Sequence, residues 1–152
     1  WKESEGEDKH RRAIYTYLKR TSPYPSFISF DASSREICLV RRFPSNTPLQ
    51  ALVTMNDPVY TEAAFHLAKS NKAESIESSI KKMYKSAVYK EIEPKILDNL
   101  VSLYTIAKDE FEEDNLKLDN FFGLGNKIDI KLASLAIVAN AIMNLDEFLT
   151  HG

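Results

Sequence analysis

Arg11, Arg12, Arg20, Arg35, Arg41 and Arg42 are concentrated toward the amino end of the chain. Each carries a planar fork of donors that fits a carboxylate or a phosphate. Interleaved with and following them are Asp31, Asn46, Gln50, Asn56 and Asp57, set among apolar residues in the stretch 30–64. If the arginines converge, they make a seat for an anionic ligand or for an acidic neighbouring domain. The amides offer donors and acceptors together, as a sugar or another polar substrate requires. The competing reading is internal. Arginines that pair with Asp31, Glu36, Asp57 and Glu62, and amides that cap helices and tie loops, would be a network that holds the fold and binds nothing.

No residue spacing spells out a reaction. The chain has no phosphate loop and no nucleophile elbow. Cys38 sits between Ile37 and Leu39 and reads as a small buried hydrophobe, since a nucleophile would need a base that the sequence does not announce. His10, His66 and His151 share no ligand spacing, so no metal site is expected. Glu112-Glu113 and Asp146-Glu147 are adjacent pairs, and neighbours on a helix point in different directions, which is poor geometry for acid/base work. The run 109–114 reads as a solvated helix end.

The elements that must position these residues read as helices. In 8–20, Ile14, Tyr17 and Leu18 form a stripe with Tyr15 at its edge, which predicts a basic amphipathic first helix. Pro23 and Pro25 end it and open an ordered loop in which Phe27, Ile28 and Phe30 pack as a turn or a single helical turn. Asp31 or Ser33 then fits the cap of a following segment, and residues 35–43 suit a helix and a short strand equally. Thr47 as N-cap with Pro48 at the first helical position starts the next helix, and Asn56-Asp57-Pro58 repeats that grammar for a helix reaching about residue 70.

Two stripes follow, Ile76, Ile80, Met83, Tyr84, Ala87 and Val88, then Ile96, Leu97, Leu100, Val101, Tyr104, Ala107 and Phe111 after the Pro94 start. Residues 115–127 read as a loop with tucked aromatics, and 130–149 is apolar nearly all round, the mark of a central helix. The expectation is one all-α domain over 1–152, an irregular bundle of about five to seven helices with a Pro-rich ordered loop between the first two and the apolar carboxy-terminal helix at the centre.

Composition narrows the function classes. Hydrophobic residues make up 43% and charged residues 28% of the 152, which a folded domain with a real core requires and a disordered chain would not have. Lys and Arg total 20 against 22 for Asp and Glu, so nothing draws the whole chain to nucleic acid, and any basic site is local. A single cysteine excludes an internal disulfide framework. No run reaches the ~18 apolar residues of a membrane span. The opening at Trp1, without an initiator Met, suggests a piece of a longer protein.

Several elements occur in a recognisable order: Arg11-Arg12, Tyr15, Arg20, Phe30-Asp31, Arg35-Glu36, Cys38, Arg41-Arg42, residues 46–52 reading Asn-Thr-Pro-Leu-Gln-Ala-Leu, and Asn56-Asp57-Pro58. The ending Asn144-Leu145-Asp146-Glu147-Phe148 joins them. This series resembles the carboxy-terminal part of the planctomycete-type secreted domain, known as domain of unknown function 1553. The likeness is strong over 8–68 and at the end, and rests on pattern alone in the middle helices. Leu18 stands where that family usually has Trp, and Ser45 where Thr is common.

The resemblance implies a piece of a large exported bacterial protein, extracytoplasmic, often built with a c-type cytochrome module. With no Cys-x-x-Cys-His in this chain, any haem would belong to another module. The partners it implies are the other domains of the parent. The reading that follows is a helical structural or interaction module with no cofactor of its own. The alternative is a composite active site completed by upstream domains, with Asp31, Arg35, Arg41 or Asn46 lining it, or a polysaccharide- or anion-binding site using the arginines and Tyr24.

Overall fold

A computed structural model describes residues 6, 15–17, 19, 21–32, 45, 47–114 and 129–149. Among them are seven helices and no strand: α1 Pro25–Ser29, α2 Pro48–Asn56, α3 Pro58–Ser70, α4 Ile76–Val88, α5 Pro94–Glu113, α6 Ile130–Met143 and α7 Asp146–Leu149. The fold is all-α, as the periodicity predicts. The chain divides into two compact units, Trp1–Val53 and Thr54–Gly152. No helix among the described residues is long and apolar enough to cross a membrane.

In the first unit, Pro25 opens α1 from an extended Tyr24, and Phe30 closes it with an N–H donated to the Ser26 carbonyl at 3.0 Å. The single helical turn expected for Phe27, Ile28 and Phe30 is there, but Ile28 is 63% exposed and lies outside the packing. A five-residue helix has one inward face, and Ser26 and Ser29 occupy it. The first helix predicted over 8–20 falls largely outside the described residues. Where it is described, at Tyr15, Thr16, Tyr17 and Lys19, the chain is not α-helical, and Tyr15 and Tyr17 are each 73% exposed. Aromatic and β-branched residues lose rotamer freedom in a helix, and the stripe of Ile14, Tyr17 and Leu18 is too thin to outweigh that loss. Residues 35–43 and the loop 115–127 also lie outside the described residues.

The second unit is built around α6. Ala133, Ser134, Leu135, Ala136, Val138, Ala139, Asn140, Ile142 and Met143 are all buried, and of the helix's fourteen residues Lys131 alone is exposed, so little of it is left for water. Helices α3, α4, α5 and α7 each pack against it, α3 most extensively and α5 next. The central carboxy-terminal helix read from the sequence is thus confirmed. Its length is not. The expected helix over 130–149 breaks after Met143, because the N–H groups of Asn144 and Leu145 donate three residues back, to Ala141 O and Ile142 O, both at 3.1 Å. The Asn140 carbonyl, which continued helix would have satisfied, accepts from Asn144 Nδ2 at 2.9 Å instead.

The predicted proline starts hold, and each has a physical cause. Pro58 and Pro94 stand in the first turn, where the missing N–H costs nothing. Asp57 Oδ1 accepts from the Val59 N–H at 2.9 Å, and Ser75 Oγ accepts from the Ser78 N–H at 3.2 Å, so both cap donors that no helical carbonyl reaches. The two stripes face inward as read: Ile80, Met83, Tyr84, Ala87 and Val88 on α4, and Leu100, Tyr104 and Phe111 on α5, are buried. Ile76, at the first position of α4, is 40% exposed and falls outside the stripe. The acidic residues Asp109, Glu110, Glu112 and Glu113 are exposed, as a solvated helix end requires, with Lys108 paired to Glu112 at 3.0 Å.

Helix α3 contributes Ala64 and Ala68 to the same core cluster as Ala136 and Ala139 of α6, and small side chains on both sides let the two backbones approach closely. Ala68, with no exposed surface, has no room to grow. Ala68→Leu is expected to lower stability by about 1–3 kcal/mol in chemical denaturation, and an unchanged midpoint would show that the α3–α6 contact is loose. Tyr89 gives the opposite test. It closes α4 at φ 60°, a left-handed conformation that costs a bulky residue energy, with its ring 82% exposed. Tyr89→Gly should raise the melting temperature by the equivalent of roughly 0.5–1 kcal/mol.

Candidate functional site

The amino-terminal unit brings two of the predicted site residues into one hydrogen-bonded knot. Gln50 lies in the first turn of α2, three residues after Thr47. The Thr47 N–H donates to Gln50 Oε1 at 3.1 Å, and the Gln50 N–H points back to Thr47 Oγ1 at 3.4 Å. This reciprocal pair is a capping box, and it satisfies two backbone donors that the start of a helix leaves open. Thr47 is therefore the cap its sequence position predicts.

The other end of the Gln50 side chain reaches further along the chain. Its Nε2 donates to the Ser29 carbonyl at 2.8 Å and to Ser45 Oγ at 3.0 Å. Ser29 ends α1, where a carbonyl loses its helical donor, and Gln50 supplies one. Ser45 passes the connection on, donating its hydroxyl and, at 3.2 Å, its N–H to Asp31 Oδ2. Asp31 itself stands at φ 51°, a left-handed position where Asp is better tolerated than most residues. Gln50 is 1% exposed, so its amide is desolvated and must be satisfied within the protein.

Chemically this knot fixes geometry. Ser45 and Asp31 resemble two members of a hydrolytic set, but the serine oxygen already accepts from Gln50, and no described histidine stands between hydroxyl and carboxylate. The side chain that a nucleophile would need free is engaged at both its donor and its acceptor.

In the second unit, Asn56 is exposed at the last position of α2, and Asp57 caps α3 as described. Arg11, Arg12, Arg20, Arg35, Arg41, Arg42 and Asn46 lie outside the described residues, as do Cys38, His10 and His151. His66 is exposed, its ring edge-on to Phe65. Among the described residues no cluster of His, Cys, Asp and Glu has the makings of a metal site.

Two polar arrangements in the second unit were not foreseen from the sequence. Thr54, with no exposed surface, donates its hydroxyl to Asn144 Oδ1, while its carbonyl accepts from Asn140 Nδ2 at 3.1 Å. Asn144 Nδ2 reaches Asn140 Oδ1 at 3.2 Å, which closes the network. The available signal was the pair Asn140 and Asn144, one helical turn apart in an otherwise apolar run. The second arrangement joins Tyr84 of α4, whose hydroxyl donates to Glu147 of α7. Burial, the hydrogen bond to Glu147, and the negative charges of Glu147 and Glu93 push the Tyr84 phenol up to about 12.

Gln50→Ala removes the acceptor for Thr47 and the donor for Ser29 together. The expected loss is about 2 kcal/mol, read as a lower denaturation midpoint; no change would mean that the knot contributes nothing. Tyr84 makes a pH prediction. A phenol whose folded pKa lies above its unfolded value of 10 contributes its full stability below pH 10, and that contribution is lost as pH rises through about 12. Between those values the wild type should lose about 1.4 kcal/mol per pH unit relative to Tyr84→Phe. A wild-type advantage that stays constant from pH 9 to pH 11.5 would contradict the hydrogen bond to Glu147.

Comparison with known proteins agrees with the series of motifs in the first half of the chain. No curated protein and no solved structure matches. A family model described as a protein of unknown function, DUF1553 (PSD1), matches residues 1–104, which takes in the Asp31–Gln50 knot and the helices through the first half of α5. The chain therefore belongs to the DUF1553 family.

Proposed function

We propose that this chain is a helical structural or interaction module, one part of a larger exported multidomain protein, and that it works by presenting a fixed scaffold to the parent's other domains. The observation that supports this reading is Gln50. Among the described residues, the most buried of the predicted site residues has its amide donors and its oxygen engaged by Ser29, Ser45 and Thr47, which leaves it a tie between backbone segments with little to offer a ligand. Asp57 supports it too, as a helix cap.

The family likeness supports a reading of location and company. On this reading the parent acts outside the cytoplasm, and a c-type haem, where the parent has one, is bound by another module. On the same reading this chain supplies no cofactor ligand. Family membership by itself leaves the activity of the parent open.

The test uses the full-length parent. Its haem content and its activity on polysaccharides are measured for the wild type, for Asp31→Ala and for Gln50→Ala, alongside melting temperature. A scaffold predicts that both substitutions lower the melting temperature, and that activity measured well below the transition falls only as folded protein is lost. Full stability with activity abolished would sink the scaffold reading in favour of a composite active site or an anion- or polysaccharide-binding site that includes Asp31.

A further inference from the structure

We draw no further inference here: the strongest candidate, the exposed apolar stripe of Leu49, Leu52 and Met55 along α2, carries nothing because the structure does not show what covers it.

Discussion

The constraint on which the second unit depends is that α6 is apolar on nearly every side and leaves little surface for water. A helix with a polar side can lie on a surface, whereas one that is apolar all round must be enclosed by neighbours. Four helices of this unit pack against it, and their own sequences are shaped by that duty. Helix α3 meets it with alanines, which trade side-chain volume for close backbone approach. Helices α4 and α5 meet it with larger residues, Ile80, Met83, Tyr84, Leu100 and Tyr104. Fully burying an aliphatic side chain of this size contributes roughly 1.5–3 kcal/mol, so the core's larger side chains are its main source of cohesion. The polar groups are then required to fit the enclosure. Asn140 and Ser134 are buried on α6, and each is satisfied, Asn140 by the Thr54 carbonyl and Ser134 by the Ile130 carbonyl at 2.8 Å.

What could be read from the sequence was whatever depends on near neighbours. The stripes of α4 and α5 follow from helical periodicity. The starts of α2, α3 and α5 follow from proline and its missing N–H, and the capping role of Asp57 from its place before Pro58. The ending of α6 was misread because periodicity continues through Leu145 and Phe148, both of which do pack on the core. The break lies in backbone hydrogen bonds around Asn144, and apolar spacing carries no record of those. The polar partners were out of reach for a different reason. Thr54 meets residues 86 and 90 positions away, and Tyr84 one 63 positions away, and the tertiary fold alone sets such meetings. Ile28 and Tyr17 show the converse, apolar residues that local pattern assigned to packing and that the fold leaves exposed.

The candidate site was half legible in the same sense. Its residue types announced that Asp31 and Gln50 needed partners, and both have them. The types did not say whether those partners would be ligands or the protein's own backbone. Ser45 favours the protein's own groups for this knot, since it joins the two by accepting from one and donating to the other. A hydroxyl used in both directions holds a loop well and attacks a substrate poorly, because each hydrogen bond would have to be given up first. The same logic applies at Asp57, whose carboxylate oxygen faces a helix N–H. Polar residues crowded among apolar ones are therefore an ambiguous signal. They mark buried groups that must be paired, and around Gln50 those partners include a serine, a threonine and main-chain groups at the ends of helices. An active site needs polar groups held in place and still left with capacity to spare. Gln50 and Ser45 meet the first condition, and the way they meet it leaves little of the second.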